Sequence, residues 1–156
     1  MKKKIAIIGA EGQMGKWFSR YFLEKDYDII GYDSEKEILN KSVTKAQSLV
    51  GAILTADYVI LCIPVKRTPE TIRLIAKEMK RDSYLIDISS LKTKTAAALS
   101  KIPDKVNPIC IHPMFGPGTK KPGKQYTDRT TLRFPCFWLP TPLDSHHAGH
   151  SEFCRL

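Results

Sequence analysis

Lys4-Ile5-Ala6-Ile7-Ile8-Gly9-Ala10-Glu11-Gly12-Gln13-Met14-Gly15 is the stretch on which the fold turns. Residues 4–8 are almost uninterruptedly apolar, the pattern of a strand buried on both faces. Gly9, Gly12 and Gly15 follow at a spacing of three, in a GxxGxxG arrangement. Beyond them Met14, Trp17, Phe18, Tyr21 and Phe22 recur at helical spacing, predicting a helix over residues 13–25. Residues 28–32 form a second apolar run, closed by Asp33. Strand, glycine turn, helix and strand within about thirty residues make one βαβ unit.

Outward from this unit the alternation continues. Residues 34–39 and 46–54 each carry a helical reading, with a short edge strand between them. Residues 57–65 read as a strand stopped by Pro64. Thr68, followed by Pro69 and Glu70, reads as a helix N-cap with proline at the first helical position. That helix continues through Ile72, Ile75, Ala76 and Met79. Residues 84–88 predict a buried strand, 93–99 a short helix and 106–111 the last strand. Strands and helices in this order imply a parallel sheet with right-handed crossovers. The expected class is α/β, a doubly wound, Rossmann-like parallel sheet that is truncated and followed by an irregular C-terminal tail. After Thr119 no helix or strand period is visible. The segment from Phe134 to Pro142 is broken by Pro135, Pro140 and Pro142, a density that prevents regular helices and central strands. The expected division is a nucleotide-binding domain over residues 1–119 and an irregular or disordered tail over 120–156. The texture of that tail is that of a frameshift or truncation product.

Composition narrows the function classes. The 156 residues fit a single domain, and the formal net charge of +9 is spread along the chain without a nucleic-acid-binding motif, so no nucleic-acid partner is expected. No apolar run reaches about eighteen residues, the length a membrane span requires. Met1-Lys2-Lys3-Lys4 resembles the basic start of a signal peptide, but the apolar run behind it is too short for one. A cytoplasmic location and no membrane partner are expected. Cys62, Cys110, Cys136 and Cys154 show no CxxC spacing, so disulfides are not implied. His146, His147, His150 and Cys154 match no closed metal geometry, and no metal site is expected.

The glycine turn carries the first chemistry. Strict GxGxxG would require glycine where Ala10 stands. The physical need is nevertheless met: a tight turn, a close approach of pyrophosphate to the backbone, and close packing of helix on strand. Gly9, Ala10, Gly12, Gln13, Met14 and Gly15 are therefore candidate cofactor-binding residues. Asp33 stands eighteen residues beyond Gly15, where a carboxylate accepts hydrogen bonds from ribose hydroxyls and repels a 2′-phosphate. That favours NAD, while Lys36 and Lys41 leave NADP possible; a helix cap formed by Asp33 and Ser34 is the alternative role. Ile63, Pro64 and Val65 end a strand near the nicotinamide half of such a cofactor, or simply mark strand termination by proline. Ser90 is a candidate helix cap or substrate contact, and Lys92 either attracts a carboxylate or is a solvated charge. His112 follows the last strand directly and precedes a Pro/Gly-rich loop, where an imidazole can take or hold a hydroxyl proton.

Five stretches, GAEGQMGKWFSRYF, YDIIGYD, ADYVILCIPV, LIDISSLK and ICIHPMFGPG, together resemble the nucleotide-binding domain of the prephenate dehydrogenases of tyrosine biosynthesis. The resemblance covers about residues 4–119, and the HPMFGP stretch is its most specific part. It implies oxidation of the ring alcohol of prephenate by NAD(P)⁺ with loss of CO₂, giving 4-hydroxyphenylpyruvate. By position, His112 matches the histidine that hydrogen-bonds the substrate hydroxyl, and Ser90 the serine that orients that histidine and the substrate. Gly9, Gly12, Gly15 and Asp33 match the family's cofactor positions. Members of the family continue into a helical domain that forms the homodimer and supplies arginines to the substrate carboxylates. Nothing after Thr119 resembles that domain, so this chain is expected to be inactive by itself. The implied partner is a small-molecule substrate, prephenate or arogenate. The alternatives are a related hydride-transfer enzyme, such as an arogenate dehydrogenase or an imine reductase, and a catalytically inert nucleotide-binding fragment.

Overall fold

The apolar run opening the sequence is strand β1 (Lys4–Ile8), and it is covered on both sides. In this computed structural model, which describes residues 2–113 and 115–119, Ile5 and Ile7 enter one core and Ala6 and Ile8 the other. Burying an isoleucine side chain contributes about 1.5–3 kcal/mol. Alternate residues of β1 thus tie both layers to one strand. The glycine turn leads into α1 (Gln13–Leu23), which packs Trp17, Phe18 and Phe22 onto the face of Ile5 and Ile7. The chain returns through β2 (Asp28–Tyr32), parallel to β1 with Lys4 opposite Asp28.

The remaining elements are β3 (Thr44–Lys45), α2 (Leu49–Ile53), β4 (Tyr58–Leu61), α3 (Thr68–Ile75), β5 (Ser83–Asp87), α4 (Thr93–Leu99) and β6 (Val106–Cys110). Strands lie in the order β3-β2-β1-β4-β5-β6, and every pairing is parallel. This is the doubly wound Rossmann order expected from the alternation. Ile53, Ile72, Ile75 and Leu99 place α2, α3 and α4 on the face opposite α1. The order reverses between β1 and β4, so the crevice beyond their carboxyl ends is where ligands of such sheets bind. No helix among the described residues is long and apolar enough to cross a membrane. The expectations for residues 120–156 lie outside the described residues.

Several expected elements differ. Residues 34–36 form bends and 37–39 have no regular structure, so no helix forms there. Their amides are taken by side chains: Asp33 Oδ1 accepts from Glu35 and Lys36, and Glu11 Oε1 accepts from Leu39. Such local bonds compete directly with the helical ladder. The helix expected over 46–54 is the single turn α2, opened by Ser48, whose hydroxyl accepts from the Gly51 amide. The strand expected over 57–65 stops at Leu61, before Pro64. Thr68 is the first residue of α3 rather than its cap. Its hydroxyl donates back to the Pro64 carbonyl at 3.3 Å instead of accepting from a first-turn amide. Ser90 caps nothing, because α4 begins three residues later and Lys92 precedes it. The short edge strand expected near residue 44 is present as β3.

Two glycines of the turn are required by the packing. Gly9 adopts a φ of +82°, and a Cβ there would lie 2.4 Å from the Cys62 carbonyl oxygen. A Cβ on Gly15 would lie 2.1 Å from the Gly9 oxygen and 2.8 Å from Ala10 Cα. Backbone atoms on both sides cannot give way. Gly15→Ala is therefore expected to cost about 1–3 kcal/mol or more. Gly118→Ala, whose Cβ meets no atom of the described residues within 4 Å, should stay within about 0.5 kcal/mol of wild type. Urea unfolding followed by circular dichroism measures both; a Gly15→Ala chain as stable as Gly118→Ala contradicts this packing.

Candidate active site

Because all six strands run the same way, every strand end that carries a candidate residue reaches one edge of the sheet. Gly9 follows β1, Asp33 follows β2, Cys62 and Ile63 follow β4, Asp87 closes β5, and His112 lies two residues beyond β6. At the β1 end, the Gly9 and Ala10 amides both donate to the Tyr32 carbonyl, at 2.8 and 3.1 Å. α1 opens at Gly12, and no side chain caps its first turn. Gln13 is exposed, Gly12 and Met14 are half-buried, and Ala10 and Gly15 are buried. Ile63 Cγ2 lies 3.0 Å from the position of a Gly9 Cβ, which places the end of β4 directly against the turn. Pro64 is exposed and Val65 half-buried beside it.

Asp33 is half-buried and already engaged. Its Oδ2 accepts from the Glu11 amide at 3.1 Å, and its Oδ1 accepts from Glu35 and Lys36 at 3.0 and 3.2 Å. A carboxylate offers about four lone-pair sites, so room for one further donor remains on Oδ2. Glu11, with only 6% of its surface exposed, pairs with Lys16 at 2.9 Å. Burial alone pushes its carboxyl up, but the Leu39 amide and the Lys16 ammonium hold it below the ordinary carboxylate range. The Asp33 and Glu11 carboxylates thus organise the loop after β2 by accepting its amides. Arg67, beyond β4, reaches Glu35, beyond β2, at 2.8 Å and joins the two rims.

At the β5 and β6 ends the polar partners differ from those expected. Asp87 is fully buried. Its Oδ1 accepts from the Ser89 amide at 3.0 Å. Its Oδ2 accepts from Lys92 Nζ at 2.9 Å, from the Ser89 hydroxyl at 3.0 Å and from Cys110 Sγ at 3.4 Å. Lys92 also donates to the Asp87 carbonyl at 3.3 Å and to the Ile111 carbonyl at 2.7 Å. An ammonium has three donors, and all three are used. Lys92 is therefore neither a solvated charge nor a spare cation. Ser90 and His112 are exposed at this edge and make no hydrogen bond among the described residues.

The loop after His112 folds back onto α1. Phe115 packs 4.2 Å, centroid to centroid, from Trp17, and Trp17 Nε1 donates to the Thr119 carbonyl at 2.6 Å. An aromatic pair of this kind adds about 0.5–1.5 kcal/mol beyond its buried area. This clasp brings the HPMFGP loop beside the helix that the glycine turn opens. Sequence reasoning missed Asp87, Glu11 and the Trp17–Phe115 contact. An aspartate inside the otherwise apolar run Leu85-Ile86-Asp87-Ile88, with a lysine five residues on, is the one available signal for the first. Among the described residues no cluster of His, Cys, Asp and Glu has metal-binding geometry; His146, His147, His150 and Cys154 lie outside them. An open depression lined by Lys2, Lys4, Asp26 and Asp28 sits at the opposite, amino edge and holds none of the candidate residues.

Comparison with known sequences matches residues 22–136 to the family described as prephenate dehydrogenase, nucleotide-binding domain. The chain belongs to the prephenate dehydrogenase family. A probable arogenate/prephenate dehydrogenase of Methanocaldococcus jannaschii is 34% identical over 124 residues, spanning 74% of this chain and 27% of that protein. The T-protein of Haemophilus influenzae is 30% identical over 132 residues, spanning 85% of this chain and 32% of that one. The chain thus spans about a third or less of the curated relatives it matches. Among solved structures, prephenate dehydrogenase from A. aeolicus, in complex with hydroxyphenyl propionate and NAD⁺, superposes with a TM-score of 0.63 at 25% identity. That match covers 81% of this chain and 46% of the other. An imine reductase from Bacillus cereus has the same TM-score at 19% identity and shares the fold.

The two described cysteines give a direct check on the sheet edge. Burial pushes the Cys62 thiol above its ordinary range and the Cys110 thiol up to about 11, with Lys92 opposing and Asp87 reinforcing the latter. At pH 8 only about one Cys110 in a thousand is thiolate. Neither Cys62 nor Cys110 should be alkylated by iodoacetamide in the folded chain, and both should be alkylated in urea. Peptide mass mapping reads this; labelling of folded Cys110 at the rate of a free thiol contradicts the placement.

Proposed function

We propose that this chain is the nucleotide-binding part of an oxidoreductase that oxidises a ring alcohol, prephenate or arogenate, and that it binds NAD in preference to NADP. The observation that carries the reading is the uncapped first turn of α1, which the glycine turn brings to the same sheet edge as Asp33. Gly9 and Gly15 allow that closeness, because a Cβ on either would strike backbone. Amides of that turn hold the phosphates, aided by the positive end of the helix. Asp33 Oδ2 accepts from one ribose hydroxyl, and the Asp33 carboxylate disfavours a 2′-phosphate. Ile63, Pro64 and Val65 border the nicotinamide half beside Gly9.

When bound, the nicotinamide ring supplies the hydride acceptor. His112 takes the proton of the substrate hydroxyl, which drives electrons toward the carbinol carbon as its hydride leaves. Ser90, in the loop three residues beyond β5 and with no hydrogen bond of its own among the described residues, is the group we assign to orient that imidazole and the substrate. Substrate carboxylates need cationic partners, and Lys92 cannot be one while all its donors are used. Those partners belong to the rest of a longer enzyme, of which the relatives named above are examples; a homodimer is part of the same proposal.

Titration calorimetry of the chain tests the reading. NAD should bind about tenfold or more tightly than NADP, and Asp33→Ser should narrow or reverse that ratio while weakening NAD. No binding of either nucleotide, or NADP binding as tightly as NAD to the wild-type chain, contradicts it.

A further inference from the structure

Two loops carry Ser90 and His112, and one buried ion pair holds both. The β5–β6 ladder ends with Asp87 opposite Cys110. Beyond that point the strands have no regular partner, yet the next residues of each are fixed. Ile111 is held at both ends of its backbone: its amide donates to the Asp87 carbonyl at 2.9 Å, and its own carbonyl accepts from Lys92 Nζ at 2.7 Å. Those two bonds set the direction in which the chain leaves β6, and His112 is the next residue. Ser89 is likewise held twice, through its amide to Asp87 Oδ1 and its hydroxyl to Asp87 Oδ2, both at 3.0 Å. Ser90 is the next residue there.

We infer that Asp87 and Lys92 form a positioning unit that fixes the Ser89–Ser90 loop and the Ile111–His112 segment in one register. This rests on the proposed reading of Ser90 and His112 as the residues that meet the substrate. On that reading the pair acts through its neighbours rather than on the substrate. Asp87 is sealed from solvent, and Lys92 has no donor left over. The chemistry of the pair suits a positioning role. A charge-assisted bond to a backbone carbonyl is short and directional, and a buried carboxylate without its cation is strongly disfavoured. The arrangement links the two loops through shared atoms, so a disturbance at Lys92 reaches both at once. A pair that merely stabilised the sheet would loosen β5 and β6 along their length instead.

Amide hydrogen exchange of the full chain, read by NMR, separates these. In the wild type, the Ser89 and Ile111 amides should be protected to within about tenfold of the interior amides of β5. In Lys92→Met, both should exchange about tenfold or more faster relative to those interior amides, and in Lys92→Arg most of the protection should return. If Lys92→Met does not fold, Lys92→Gln carries the same expectation, since it lacks the charge. Equal loss across the whole sheet, a response in only one of the two loops, or unprotected Ser89 and Ile111 in the wild type overturns the inference. NAD titration of the same samples keeps the two readings apart. Unchanged exchange with normal NAD binding defeats this inference alone, whereas a wild-type chain that ignores NAD defeats the dehydrogenase reading and leaves the exchange result standing.

Discussion

No methyl group fits between Gly15 and the carbonyl of Gly9, and the carboxyl edge of the sheet follows from that closeness. With a Cβ clearance of 2.1 Å to the Gly9 oxygen, α1 sits as near to β1 as backbone can approach backbone. The left-handed turn at Gly9 in turn brushes the Cys62 carbonyl, so the ends of β1 and β4 meet where the strand order reverses. From this contact the rest is placed in sequence. The first turn of α1 is aimed along the edge, Ile63 lies against the turn, and the Glu11 amide comes within reach of Asp33.

The other half of the edge is organised by charge rather than by closeness. Asp87 and Lys92 take over where the β5–β6 ladder stops, and the buried Asp87 carboxylate depends on the half-buried Lys92 ammonium for its counter-charge. The Trp17–Phe115 contact adds a third fastening, from the loop after His112 to the helix that the glycine turn opens. The glycine turn and the His112 loop are therefore mechanically joined through α1, although they stand on different strands.

The architecture was legible because parallel strands buried on both faces leave largely apolar runs, and the runs within residues 4–8, 57–65 and 84–88 mark β1, β4 and β5 to within a few residues. The edges of elements were less legible. Residues 34–39 carry a helical pattern, but Asp33 and Glu11 capture their amides, and nothing local in the sequence announces that a buried glutamate 28 positions earlier will accept from Leu39. Asp33 itself was legible by its position after β2; that three backbone amides already claim its carboxylate was not. Lys92 shows the limit most clearly. Its partners at Asp87 and Ile111 lie 5 and 19 residues away and become neighbours only when β6 is laid beside β5. Ser90 and His112 are candidates by their places near strand ends, whereas the groups that hold those segments are visible only in three dimensions.

Nucleotide recognition belongs, on this reading, to the carboxyl edge of the sheet around the glycine turn. Chemical-shift mapping of the nitrogen-15-labelled chain during addition of NAD tests that placement most directly. The largest changes should fall on the amides of Gly9, Gly12, Gln13, Met14, Gly15, Asp33, Ile63 and Val65, with little change at the amino edge. Changes concentrated instead around Lys2, Asp26 and Ser42, which line the depression at the opposite edge, would contradict it.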